Sequence, residues 1–340
     1  MPEMKAVQVP SAGADFELVT REIPEPNAGE VLVKVEACGV CHGDAITKEG
    51  RYPGIVYPRV PGHEVVGTIC KLGPDLTRWE TGQRVGVGWY GGPCSSCDAC
   101  RRGDFDNCRS SLTPGIASDG GYAEYMVVSA RAPALIPAEF DSLEAAPLLC
   151  AGRTTFSALR ASGAKGGDLV AIQGLGGLGH LAVQFARKLG FRTVVISRGK
   201  DKEDLAYKLG AHVFIDADAV NPAEELQRLG GARVILATAP NSRAISALIN
   251  GLGYDSQLII VAAPSEPMQV VPGQLFQGRR SIRGWVGSRS EADDALTFSA
   301  MSGIVPMIEV FPLERVALAY ERMMTSKVHF RSVLRIGGFG

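Results

Sequence analysis

The sequence predicts a two-unit α/β chain, in which a β-rich unit is interrupted by a doubly wound parallel sheet. Three observations predict it. The first third carries short runs that alternate apolar and polar residues, separated by Gly and Pro. From residue 151 the texture changes to strands alternating with helices, which implies right-handed crossovers and a parallel sheet. After about residue 287 one more helix-like run and a final strand-like segment follow, so the tail returns to the first unit.

The elements follow in chain order. EVLVKVEACGV and EVVGTICKLG read as strands of the first unit. DLVAIQG reads as a buried strand, and GLGGLGHLAVQFARKLG as a glycine turn opening a helix. TVVIS is the next strand, KEDLAYKLG a helix and HVFIDA a strand. AEELQRLG, ARVILAT, SRAISALINGL and SQLIIVAA continue the alternation, and VALAYERMMTSK and RSVLRI form the last helix and strand. The β-rich unit is placed at 1–151 with 288–340, and the parallel unit at 152–287.

Composition narrows the function. A chain of 340 residues accommodates about two domains. A net charge of −1, with the signs well mixed, supplies no field for nucleic acid or an anionic membrane. The first twenty residues lack the apolar core of a secretory signal, and no stretch approaches the ~18 apolar residues of a membrane span. A cytoplasmic protein with neither nucleic-acid nor membrane partner is expected.

Four of the eight cysteines crowd together as Cys94, Cys97, Cys100 and Cys108, spaced C-x2-C-x2-C-x7-C. Without a secretory signal such crowding points to metal rather than disulfides. A closed set of thiolates is what a structural zinc takes. An iron–sulfur run would end C-x3-C-Pro, whereas here the last gap is seven residues and Arg109 follows Cys108.

A second metal set is assembled from separate segments. Cys41 lies in ACGVCHGD, His63 in VPGHEVVG and Cys150 in PLLCAGRTT. Two thiolates and an imidazole leave one coordination position open, as in catalytic zinc. Singly, each has an ordinary reading, the thiols as small buried hydrophobes and the imidazole as a hydrogen-bonded side chain. Asp44 and Glu64 nearby supply the carboxylates that orient metal ligands. Cys38 and Cys70 lack such company and read as structural.

The segment Gly174, Leu175, Gly176, Gly177, Leu178 and Gly179 matches G-x-G-x-x-G between a strand and a helix. Gly174 permits the tight turn, Gly176 the approach of a pyrophosphate, and Gly179 the packing of helix on strand. The helix N-terminus favours the anion. The next strand ends in Ser197 and Arg198, with Lys200 and Lys202 close by, where an NAD site presents Asp or Glu. A hydroxyl and a guanidinium suit a 2′-phosphate, so NADP(H) is expected over NAD(H). The ordinary reading of Arg198 is a solvated loop residue.

With CGVCHGD, PGHEVVG, the four-cysteine cluster, CAGRTTF and GLGGLG in this order, the chain resembles the zinc-containing medium-chain alcohol dehydrogenases, closest to the yeast and bacterial branch. The resemblance runs nearly end to end, and implies a GroES-like catalytic domain plus a Rossmann domain. It further implies that Cys41, His63 and Cys150 hold the catalytic zinc. Glu64 would stand close behind it, and Asp44 would orient His63. His42 and Arg331 would lie near the cofactor pyrophosphate, Thr154 on the nicotinamide side, and Val261 and Val286 among the cofactor contacts. Tyr52, Trp89 and Ile46 would line the substrate pocket. Relatives form dimers or tetramers through the cofactor domain, which implies a homodimer or homotetramer built around 258–262.

Two positions depart from that family. Position 43, where Ser or Thr usually accepts the substrate proton, is glycine, and position 46, often His, is Ile46. A general acid–base group contributes typically ~10²–10⁴-fold, so the loss matters. Water in the relay's place, carbonyl reduction with another proton route, or reduction of an activated C=C or C=N bond would each accommodate it; a non-catalytic NADPH-binding protein is the alternative of another class. The reading carried forward is an oxidoreductase with two zinc ions per chain, interconverting small alcohols and aldehydes or ketones with NADP(H).

Overall fold

The computed structural model describes residues 2–337. The chain forms two compact units. One comprises the residues up to Cys150 with Ser288–Met301 and the chain from Val305 onward; the other comprises Ala151–Gly287 with Ser302–Ile304.

The first unit is built on a mostly antiparallel sheet, with a hairpin of Glu3–Gln8 and Glu17–Glu22 beside it. Its central strand, Glu30–Val40, pairs with Val65–Leu72, Tyr125–Ser129 and Arg331–Arg335. Lys34 is exposed and Glu36 half-buried while Ala37 to Val40 are wholly buried, so the alternation holds only in the middle of the strand and is lost where both faces are covered. Arg331–Arg335 pairs in turn with Ile308–Pro312, in parallel. The returning tail thus hydrogen-bonds to the strand that runs into Cys41. Val33, Val35, Val65, Ile69, Val85 and Tyr122 lie among the buried residues of one core cluster.

The second unit is a six-stranded, wholly parallel sheet. Its order is Val213–Asp216, Arg192–Ser197, Leu169–Gln173, Ala232–Ala237, Leu252–Ile260, Ser281–Gly284. Numbered along the chain this is 3-2-1-4-5-6, the Rossmann order, with the switch point beside the first strand. All five residues of Leu169–Gln173 are buried, as a central parallel strand requires. Ala171, Val194, Ile235 and Leu258 join side chains from neighbouring helices in one core cluster.

Among the elements that the sequence reading did not name are one helix and one strand beyond residue 280. Ser290–Ser302 is a 13-residue helix where only one helix was expected after 287. Its buried positions are Ala292, Ala295, Leu296 and Ser299, so its helical period is written mainly in small residues. Ser281–Gly284, a four-residue strand with arginine and glycine, carries almost no apolar pattern.

The glycine turn is set by close approach. Gly174 has φ +94°, a left-handed conformation that glycine adopts without strain. A Cβ on Gly179 would lie 1.9 Å from the Gly174 carbonyl oxygen. A Cβ on Gly176 would meet nothing within 4 Å, so that stretch of backbone faces open space. The helix Gly179–Lys188 follows directly. Gly179→Ala therefore forces turn and helix apart, and is expected to destabilise the unit by about 1–3 kcal/mol. Urea unfolding reads this; an unchanged midpoint would show that the helix shifts without cost.

Candidate active site

Cys41 follows the central strand, and Asp44 opens the helix Asp44–Glu49 three residues later. His63 and Glu64 precede the strand Val65–Leu72. Cys150 sits in a π-helical turn, Leu148–Gly152, between the helices Ser142–Pro147 and Arg153–Arg160. Pro147 lacks a backbone N–H, which accounts for the break in regular winding; wide turns of this kind are frequent at functional sites.

These segments bring Cys41, His63, Glu64 and Cys150 together, with one ligand atom of each within 4.8 Å of all the others. The two sulfurs are 3.9 Å apart. Sulfurs about 2.3 Å from one tetrahedral zinc stand about 3.8 Å from each other, so the spacing fits the ion. His63 Nδ1 lies 3.0 Å from Asp44 Oδ1, which leaves Nε2 as the lone-pair nitrogen. Nε2 is buried without a hydrogen-bond partner, and so is Glu64 Oε2. Buried polar atoms are almost always partnered. Two orphans in one group of soft donors point to a cation.

The electrostatics agree. The Cys41 thiol is drawn well below its ordinary value, first by its hydrogen bond with Cys150 and also by His63 and Arg331, against burial. Burial pushes Glu64 up to about 7, with the nearby Arg331 cation opposing. Arg331 is 3 % exposed and hydrogen-bonds through Nη2 to Glu64 Oε1. Gly39 makes room for this carboxylate, since a Cβ there would lie 1.9 Å from Glu64 Oε2.

The four clustered cysteines occupy a loop around the short helix Asp98–Arg101. Their sulfurs all lie within 4.8 Å, Cys94 and Cys100 at 3.9 Å and Cys97 and Cys100 at 3.5 Å. Hydrogen bonds, first from Ser96, hold the Cys94 thiol down to about 5, whereas burial beside its neighbours pushes Cys100 up to about 12. Four thiols this close do not all ionise without a cation to share. The donor set fits a closed zinc site.

In the second unit, Lys202 Nζ donates to the Leu175 carbonyl of the glycine turn at 3.0 Å. Ser197 ends its strand half-buried, and Arg198 is exposed. Asp216, opposite Ser197 in the neighbouring strand, accepts from Gly199 N at 2.8 Å and Asp218 N at 3.0 Å. Thr154 is buried, Val261 half-buried and Val286 exposed.

Comparison with known proteins now decides the family. Residues 27–138 match the alcohol dehydrogenase GroES-like domain, and 177–301 match the zinc-binding dehydrogenase domain. The chain is 42% identical to the alcohol dehydrogenase patD of Penicillium expansum over 95% of this chain and 94% of that one. It is 35% identical to an alcohol dehydrogenase of Geobacillus stearothermophilus over 98% and 100%. It belongs to the zinc-dependent medium-chain alcohol dehydrogenases. Among solved structures, a cinnamyl alcohol dehydrogenase of Sorghum bicolor superposes with a TM-score of 0.89 at 29% identity, covering 100% of this chain and 99% of that one. A cobalt- and zinc-bound thermostable alcohol dehydrogenase of Pyrobaculum aerophilum gives 0.86 at 27%, over 98% and 100%. This alcohol dehydrogenase is thus an NAD(P)-dependent alcohol oxidoreductase that uses zinc. Among the described residues no helix is long and apolar enough to cross a membrane.

Other expected residues are placed as follows. Trp89 stands edge-on to His63, with ring centroids 4.9 Å apart at 83°. Ile46 is half-buried in the helix Asp44–Glu49, and His42 is exposed. Tyr52 is 56 % exposed and is not part of the ligand group. Arg331 reaches Glu64 from a strand that runs antiparallel to the strand leading to Cys41. That ion pair and the hydroxyl of Tyr122, 2.9 Å from Asp44 Oδ2, went unread in the sequence. Neither pairing has a sequence signal, since 267 residues separate Arg331 from Glu64.

The glycine at position 43 has a steric cause. A Cβ there would lie 2.7 Å from His63 Cε1 and 2.9 Å from Trp89 Cζ3. A hydroxyl side chain and this indole compete for the same space. Gly43→Ser is expected to cost about 1–3 kcal/mol by overpacking. Trp89→Leu should relieve only part of that cost in the double variant, since the contact with His63 remains, and a denaturation cycle over the four proteins measures the coupling. Additive costs would show that Trp89 does not exclude a side chain at 43.

Proposed function

We propose that this dehydrogenase interconverts small alcohols and their aldehydes or ketones using NADP(H), with two zinc ions per chain. The observation that carries the zinc chemistry is the group of two thiols and one imidazole whose Nε2 is buried without a partner. Cys41, His63 and Cys150 would hold the catalytic ion, and Cys94, Cys97, Cys100 and Cys108 the structural one. Bound at the first set, zinc supplies a Lewis acid for the substrate oxygen. The protein's own contributions are positional. Asp44 keeps the proton of His63 on Nδ1, so that Nε2 is free to coordinate. Arg331 holds one oxygen of Glu64 and leaves the other facing the ligand group. Trp89, packed on His63, would line the substrate pocket together with Ile46 and Tyr52.

For the cofactor, Gly174, Gly176, Gly177, Leu178 and Gly179 would receive the pyrophosphate, with His42, Thr154, Val261, Val286 and Arg331 as further contacts. Ser197, Arg198 and Lys202 would meet a 2′-phosphate. Asp216, opposite Ser197 in the neighbouring strand, has Oδ1 engaged by the backbone amides of Gly199 and Asp218, which supports this reading. The described residues hold no carboxylate at the end of the strand Arg192–Ser197 itself. A relative in structure, from Helicobacter pylori, was solved with NADP(H). We further propose a cytoplasmic homodimer or homotetramer, with 258–262 near the contact.

Four expected outcomes test this. Zinc analysis should find two ions per chain. Cys150→Ala should keep the fold and one zinc yet lose turnover; full activity in that variant would overturn the catalytic set. Initial rates with a small aldehyde should favour NADPH over NADH. Arg198→Ala should lower kcat/KM for NADPH by about 10- to 100-fold, the loss expected for a hydrogen bond to a charged group, and leave NADH nearly unchanged. Equal losses with both cofactors would count against the 2′-phosphate assignment.

A further inference from the structure

Asp44 is a buried anion whose hydrogen bonds are all accounted for. Oδ1 accepts from Gly62 N at 3.2 Å and stands 3.0 Å from His63 Nδ1. Oδ2 accepts from Cys41 N at 2.8 Å and from the Tyr122 hydroxyl at 2.9 Å. A carboxylate offers about four lone-pair directions, so Tyr122 fills the last of them. Tyr122 is itself wholly buried. Its N–H donates to the Pro61 carbonyl at 3.0 Å, and its carbonyl accepts from Val7 N at 2.7 Å. Its ring packs against the turn that carries His63, where a Cβ on Gly62 would lie 2.6 Å from Tyr122 Cδ1. Burial and the charge of Asp44 keep the phenol protonated, hence a donor.

We propose that Tyr122 is a positioning residue for the catalytic metal, its hydroxyl fixing the Asp44 carboxylate that sets the tautomer and direction of His63. The proposal rests on assigning Cys41, His63 and Cys150 to zinc. Of the four donors to Asp44, two are backbone amides and one is the histidine itself. Tyr122 alone is a side chain outside the ligand segments. Without its hydroxyl the carboxylate gains one empty lone pair in a dry site and freedom to rotate. His63 then loses a fixed orientation. Outer partners of this kind change metal affinity by about 10- to 100-fold.

The test is zinc release from the holoenzyme to a competing chelator, comparing wild type with Tyr122→Phe, which keeps the ring. The expected result is that one of the two zinc ions leaves about 10- to 100-fold more readily, the other being unaffected. The visible spectrum of the enzyme with cobalt in the catalytic site should shift. In an Asp44→Asn background the same change should add little, because the anionic acceptor is gone. Wild-type release and an unshifted cobalt spectrum would overturn the proposal. So would loss of both ions together with a lowered melting temperature, or an undiminished effect in the Asp44→Asn background. A wild-type chain that never takes up a second zinc would sink the metal assignment itself, and the proposal with it.

Discussion

The first unit depends on one buried carboxylate. Asp44 is 2 % exposed, and an anion in such a place costs heavily unless every lone pair is used. Its four donors come from three separated stretches: Cys41, the Gly62–His63 turn, and Tyr122. Satisfying that charge therefore draws the end of the central strand, the turn carrying the imidazole and the distant tyrosine into one place. The same bonds leave His63 Nε2 bare. What would be an uncompensated cost in an ordinary core is the preorganisation a metal ligand needs.

A second buried charge ties the tail to the head. Glu64 and Arg331 pair where neither reaches water freely. Such a pair is weak evidence for stability, since desolvation offsets much of the attraction. Its consequence is geometric. The tail strand brings Arg331 to the ligand group, Gly39 clears the space, and the carboxylate is left with one oxygen bound and one open. Glu64 is thus held beside the ligands without being used up by its own counter-ion.

The parallel unit is organised around a different constraint, the close packing of its glycine turn. The turn after Leu169–Gln173 is so tight that Gly174 and Gly179 touch backbone to backbone, while Gly176 stands clear. Thr238 adds a hydroxyl that donates to the carbonyls of Gln173 and Gly174, stiffening the turn from the neighbouring strand. Lys202 bonds to Leu175 from the far side. The result is a rigid cradle with a bare rim.

The chain by itself determined much of this. Local alternation marked most of the strands and helices of the parallel sheet unit, because periods of 2 and 3.6 are written in side chains that neighbour one another in sequence. The cysteine cluster was equally legible, since C-x2-C-x2-C-x7-C places four sulfurs within one loop's reach. The helix Ser290–Ser302 was lost because its buried face is mostly alanine and serine, and the strand Ser281–Gly284 because a four-residue edge needs no apolar pattern. Only the tertiary structure decided how Cys41, His63 and Cys150 meet, that Arg331 faces Glu64, that Tyr122 completes the shell of Asp44, and that His63 and Trp89 together crowd position 43. Each of these joins residues far apart in the chain, and distances of a few ångströms across a packed core are set by how sheets and turns stack, which no local pattern encodes.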